Sequence, residues 1–149
     1  MEPATVTLYV GTHHVIILPS ARTSDGLALG IEPITVLPAG APIAAALSLA
    51  LDASANGTAV RPKDWRSYQP PLDQVPEYRR ANRSPSRLRA CLVQRDAVGT
   101  RVIPMYRLDR FNYGFLQDGQ VVVAPSASLE ELERAVNQAL GAAPTLAAP

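Results

Sequence analysis

The stretch "QDGQVVVAPSASLEELERAVNQAL", Gln117–Leu140, decides how this chain is to be read. A turn, an apolar strand, a proline and a capped helix follow one another without a break. Ser128 is placed to cap the helix and Glu131, three residues on, to reach back, the pattern of a capping box. Leu129, Leu132, Val136, Ala139 and Leu140 form one apolar stripe at helical spacing. Glu130, Glu131 and Glu133 crowd the first turn, where the helix dipole favours negative charge, and Gly141 is placed to end the helix. Ahead of the strand, Asp118-Gly119 has the form of a two-residue hairpin turn, whose central positions need positive φ.

An earlier stretch, "GIEPITVLPAGAPIAAALSLAL" (Gly30–Leu51), follows the same plan. "ITVL" reads as a short strand stopped by Pro38, which has no N–H to offer a ladder. Pro42 suits the first helical position, and the alanines and leucines after it favour helix. Apolar residues surround this whole helix, which predicts extensive burial against the sheet or a partner. An offset of 87 residues carries Val15 and Ile16 onto Val102 and Ile103, Leu29 onto Leu116, Val36 onto Val123, and Pro38 onto Pro125. An offset of 89 carries Ile43, Leu47, Ala50 and Leu51 onto Leu132, Val136, Ala139 and Leu140. The two strand–proline–helix units suggest an internal pseudo-duplication, with two similar lobes sharing one sheet.

Working outward, "ATVTLYVG" (Ala4–Gly11) alternates Val6, Leu8 and Val10 against Thr5, Thr7 and Tyr9, as a half-buried strand does. "HVIILP" (His14–Pro19) is a continuous apolar run and reads as an interior strand. "SRLRACLVQRD" (Ser86–Asp96) alternates Leu88, Ala90 and Leu92 against Arg87, Arg89, Cys91 and Val93. "GTRVIPMYRLDRF" pairs with it as a hairpin, Pro104 implying an edge or a bulge. Residues 53–85 hold five prolines and no clean period. They read as a long Pro/Arg-rich connection with about one turn of helix, a length that in a compact domain is usually functional or mobile. The expected architecture is α+β: a single domain over residues 1–141, mainly antiparallel sheet with helices packed on it. A disordered tail is expected over 142–149.

A chain of 149 residues, 47% hydrophobic and 18% charged, is long enough to bury a real core. No apolar run reaches the roughly 18 residues a bilayer span needs, and "MEPATVTLYVG" lacks the basic start of a secretory signal. A cytoplasmic protein without membrane contact is the expectation. The single cysteine, Cys91, rules out an internal disulfide and gives no metal-ligand spacing. Phosphate-loop, dinucleotide, nucleophile-elbow and zinc-protease motifs are all missing, so no cofactor and no catalytic residue is assigned. Cys91 has no base beside it and reads as a structural thiol. His13 and His14, if on a strand, point to opposite faces and are not expected to serve one substrate. A site around either histidine is the one enzymatic reading left.

Net charge is +1 but unevenly spread. Residues 61–110 carry twelve Lys/Arg against five acids, whereas residues 1–60 and 111–149 each carry one Arg against four acids. Arg79, Arg80, Arg83, Arg87 and Arg89 fall within eleven residues, Arg87 and Arg89 on one expected strand face. The simple reading is a solvated face paired with Asp96, Asp109 and the acidic helix. Nucleic-acid binding needs aromatic platforms or a reading helix besides, and Tyr78 is the one aromatic near the cluster. A nucleic-acid-binding or regulatory module using the Arg-rich hairpin is the alternative reading, and nucleic acid is not the expected partner. Trp65 and Tyr68 lie in "DWRSYQPP", and Tyr113 lies beside Asp109 and Arg110 in "DRFNYGF". A tryptophan in a proline-rich loop is what a binding hot spot uses. Trp65, Tyr68, Arg87, Arg89, Asp109, Arg110 and Tyr113 are therefore the candidate partner-binding residues.

The segments "VVVAPSASLEELERAVNQAL" and "ITVLPAGAPIAAALSLALDAS", with "VIILPSARTSDG" and "RVIPMYRLDRFNYGF", resemble the immunity proteins of bacterial contact-dependent growth inhibition systems. The likeness is one of layout and a few apolar positions, over most of the chain outside 53–85 and the tail. It implies a non-enzymatic, cytoplasmic protein that binds and neutralises a cognate toxin domain, the C-terminal domain of a large secreted surface protein. Such toxins are often nucleases. The chain departs from the acidic character common among inhibitors of basic nucleases, being near neutral with a basic middle.

Overall fold

Strand β1 (Ala4–Val10) runs antiparallel between β2 (His14–Arg22) and β5 (Arg89–Arg95), and the sheet grows outward from this centre. The computed structural model describes residues 3–109 and 112–147. Beyond β2 lie two short strands: β3 (Ala28–Gly30) on Ser20–Arg22, and β4 (Thr35–Pro38) on His14–Ile17. Beyond β5 lies β6 (Thr100–Arg107), which carries β7 (Tyr113–Phe115) at one end and β8 (Val121–Val123) at the other. Helices α1 (Ala44–Asn56) and α3 (Leu129–Ala142) cover one face of this eight-stranded antiparallel sheet. The connection containing α2 (Pro76–Asn82) covers the other. The architecture is α+β, as expected.

The two halves follow one pairing plan. Moving a pair of the first half by 85 residues gives a pair of the second: Leu8–Ile17 becomes Val93–Val102, and Ser20–Gly30 becomes Met105–Phe115. One further residue of offset carries Ile16–Val36 toward Arg101–Val122, so a single insertion precedes β8. The buried face of α1, Leu47, Ala50, Leu51 and Ser54, falls on Leu132, Ala135, Val136 and Ala139 of α3. This register is that of a twofold axis passing between Thr7 and Leu92, which face each other across β1 and β5. It replaces the sequence offsets of 87 and 89, which had matched apolar residues without regard to pairing.

Two prolines mark the plan. Pro19 and Pro104 stand where the outer ladder changes from one short strand to the next, the place where a missing N–H costs nothing. Their carbonyls accept hydrogen bonds from Ile31 and Leu116 N–H, each at 2.9 Å. Pro104 thus lies in an interior strand, not on the expected edge. The hairpin expected at Asp118-Gly119 does not form either. Gln117–Gly119 makes a 3-10 turn, and β7 and β8 pair with β6 rather than with each other. Gly119 is required by close approach: a Cβ there would come within 2.9 Å of Pro104 Cγ.

Both faces of the sheet are buried. Val6, Leu8, Val15, Ile17, Val93 and Val102 meet Leu47, Leu51 and Val136 under the helices. Tyr9, Ile16, Leu18, Ala90 and Met105 meet Leu72, Tyr78 and Leu88 of the connection. Residues beyond α1 that read as a loose connection are therefore the lid of a second core. The tail is part of it. Helix α3 passes through Gly141 to Ala142, and Leu146 is 0% exposed, its N–H donating to Leu88 O at 2.7 Å. The expected disorder over 142–149 does not describe 142–147; burying one leucine, worth roughly 1.5–3 kcal/mol, holds this stretch down.

The lobes are also tied through their helices. The Glu133 carboxylate of α3 accepts from Ile43 N–H at 2.9 Å and Ala44 N–H at 2.6 Å, capping α1, which has no side-chain cap of its own. Pro42 lies just ahead of the Ile43 cap instead of inside the helix. In α3, Ser128 Oγ accepts from Glu131 N–H at 3.2 Å, the first half of the expected box. Cys91 is 0% exposed, and burial pushes its thiol up to about 12. The thiolate is the reactive form, so at pH 8 a disulfide reagent should leave the folded protein unmodified and titrate one thiol in denaturant. Rapid native-state modification would contradict the burial.

Candidate functional site

The pairings Val10–Val15 and Val10–Arg89 bring the β1–β2 turn beside the start of β5. Facing that turn is α2, started by Pro76 at its first position, with Arg79 and Arg80 in the last turn where cations suit the dipole. Tyr78 points inward and stacks on Tyr9 with ring centroids 5.2 Å apart, pinning α2 to the sheet. Burial, then the neighbouring Tyr78, pushes the Tyr9 hydroxyl far above the usual tyrosine range; burial, then Tyr113, does the same to Tyr78. Both rings are neutral at ordinary pH and serve as structure.

Between the turn and α2 lies a cavity of about 400 Å³ lined by Gly11, Thr12, His13, His14, Glu77, Arg80, Ala81, Ser84 and Arg87. Both histidines line it. His13 sits in the turn rather than on the strand, so the alternation of strand faces does not separate the pair. The expectation that they could not share a site is corrected on that ground. Arg87 is likewise off the strand, in the 3-10 turn Pro85–Arg87, and does not share a strand face with Arg89.

The expected pairing holds for Arg101 with Asp96 but not for the five clustered arginines. Among the described residues, Arg79, Arg80, Arg83, Arg87 and Arg89 have no side-chain hydrogen bond or ion pair. The acids proposed to pair with them are engaged elsewhere. Asp96 pairs with Arg101 at 3.6 Å, Glu133 caps α1, and Asp109 accepts from Asn112 N–H at 2.9 Å. Tyr113 lies half-buried at the same end of the sheet. Its hydroxyl accepts from Arg107 at 3.3 Å, and that guanidinium sits 5.7 Å from its ring. Arg110 lies outside the described residues.

Trp65 and Tyr68 form a separate group. Trp65 is 48% exposed, with Tyr68 edge-on at 5.5 Å and Arg61 5.9 Å from its ring. Arg61 is ion-paired with Asp25, which Thr23 also hydrogen-bonds. These two contacts, Thr23's first, hold the Asp25 carboxyl below the usual carboxylate range. Asp25 follows the far end of β2 from His14, and nine strand residues span roughly 25 Å. The candidate residues fall in two groups, Arg87, Arg89, Asp109 and Tyr113 at one end of the sheet and Trp65 with Tyr68 away from it, with Tyr68 and Arg79 lining one pocket between them. His13, His14, Arg80 and Ser84 were not among the expected partner-binding residues, the histidines having been considered only for an enzymatic site. The hint lay in Pro76, a helix start that turns "PEYRRAN" into a wall facing the first hairpin.

Among the described residues no group of three or more His, Cys, Asp or Glu is placed to hold a metal ion. No helix among them is long and apolar enough to cross a membrane.

No protein-family model and no curated protein matches the chain. Solved structures do match, over nearly the whole length. One is a chain of a CdiA-CT/CdiI toxin and immunity complex from Yersinia pseudotuberculosis. The fold is shared with that chain. That match has a TM-score of 0.62 at 9% identity, covering 96% of this chain and 98% of the other. Another is a protein of unknown function from Neisseria meningitidis, with a TM-score of 0.65 at 11% identity, covering 95% and 96%. At such identities the likeness is one of fold.

Proposed function

We propose that the protein is an immunity protein, which binds and neutralises a cognate contact-dependent growth inhibition toxin domain in the cell that makes both. The observation that carries the reading is the end-to-end match with a chain of a toxin and immunity complex. The resemblance of its sequence segments to that class of inhibitor points the same way. In this reading the protein is cytoplasmic, catalyses nothing, and works by occupying a surface of the toxin.

The surface chemistry suits such a role. A scaffold with both sheet faces buried holds its side chains in place before the partner arrives, which lowers the ordering cost of binding. Exposed arginines without partners favour rapid, selective encounter, and an exposed tryptophan braced by Tyr68 and Arg61 has the makings of an anchor. The alternative, nucleic-acid binding through an Arg-rich hairpin, loses its aromatic platform because Tyr78 is buried against Tyr9. It also loses half its hairpin, because Arg87 is off the strand.

Co-expression with the toxin domain encoded by the adjacent gene tests the reading. Cells carrying both should grow at the rate of cells carrying neither. Growth arrest despite soluble immunity protein overturns it.

A further inference from the structure

The cavity between the β1–β2 turn and α2 has a chemistry of its own. His13, His14, Arg80 and Arg87 line it against one carboxylate, Glu77, with the hydroxyl residues Thr12 and Ser84 completing the donors. The walls are fixed in advance. Gly11 N–H donates to His14 O at 3.0 Å, and Ala39 N–H to His13 O at 2.9 Å, which locks the turn. The Tyr9–Tyr78 stack locks the helix. Arg79, Arg83 and Arg89 neighbour the lining arginines in sequence and share the absence of a partner among the described residues.

The geometry points to this cavity as a receptor for carboxylates, filled by an acidic segment of the partner protein. Guanidinium groups take carboxylates in two parallel hydrogen bonds, and five arginines without an acid beside them among the described residues are the complement of an acidic surface. A protein partner is favoured over nucleic acid by what surrounds the cavity. Among the described residues no Phe, Tyr or Trp lines the cavity to stack a base, and α2, at seven residues, is too short to read a groove. The identity of that partner rests on the toxin-binding reading above; the site itself does not.

The test titrates the full chain with a hexaglutamate peptide, and in parallel with a single-stranded RNA oligonucleotide and a DNA duplex, following backbone amide shifts by NMR. The peptide should move Gly11–His14 and Ser84–Arg87. Replacing both arginines, R80Q with R87Q, should weaken peptide binding about tenfold or more. R66Q, which removes an exposed charge from the Trp65 loop, should change it by less than about twofold. Absence of peptide binding, shifts confined to other surfaces, an equal loss in R66Q, or tighter binding of RNA or DNA through the same residues would each overturn the proposal. A failed titration alongside intact growth rescue removes this site and leaves the toxin reading standing. A successful titration without rescue does the reverse.

Discussion

Leu47→Ala should lower the unfolding free energy by about 2–5 kcal/mol. Leu47 is 0% exposed on the sheet-facing side of α1, within the cluster that includes Leu8, Ile17, Leu51 and Val136. Truncation removes buried methylenes and leaves a cavity that two regular layers close poorly. For a chain of this size each kcal/mol shifts the melting temperature by roughly 2–4 °C. Leu49, two residues along the same helix, is 70% exposed, and Leu49→Ala should stay within about 0.5 kcal/mol. Urea titration of the pair checks the orientation of α1 directly. Equal losses would mean that the helix does not present the Leu47 face to the sheet. Leu132→Ala, at the matching place in α3, should behave as Leu47→Ala does.

Gly99→Ala should cost about 2–4 kcal/mol, by a different route. Gly99 closes the β5–β6 turn with φ +153°, and a Cβ there would run into the carbonyl oxygen of Val123 in β8. The turn cannot shift to relieve it, since Asp96 Oδ1 accepts from Val98 N–H at 2.8 Å and Asp96 N–H donates to Gly99 O at 3.0 Å. The strain should fall on the Thr100–Val123 pairing, so amide exchange should rise at Val121–Val123 before it rises in β1. Gly26→Ala is the control. Gly26 also has positive φ, at +89°, but nothing lies within 4 Å of its Cβ position, so only the backbone cost of about 1–2 kcal/mol remains. Equal losses at the two glycines would contradict the close approach of β8.

What was legible in the sequence was what is decided locally. The cap of α3 and most of its stripe, and the existence of β1, arise from neighbours a few residues apart and are found. Leu129, however, is exposed, and β1 is buried on both faces, Thr7 and Tyr9 included, rather than half-buried. The repeat was visible as a plan but not in register, because few residues agree across the halves. What agrees is the pairing, with Pro19 and Pro104 as its clearest trace. The second core was missed because its lid has no period: Leu72, Tyr78, Leu88 and Leu146 are placed by contacts across the sheet. The cap of α1 lies 90 residues away, on Glu133.

The site divides in the same way. The arginine cluster was plain in the composition, and so was Trp65 in its loop. The unpaired state of the five clustered arginines among the described residues depends on which acids the fold engages elsewhere. His13 and His14 were set apart by a rule for strands that does not hold in a turn.

Binding to the purified toxin domain of the adjacent gene, followed by isothermal titration with size-exclusion chromatography, tests the function most directly. An immunity protein should give a one-to-one complex with a dissociation constant of about 10 nM or tighter, near −11 kcal/mol. No complex at micromolar concentrations, with the toxin's activity undiminished in its presence, would contradict it.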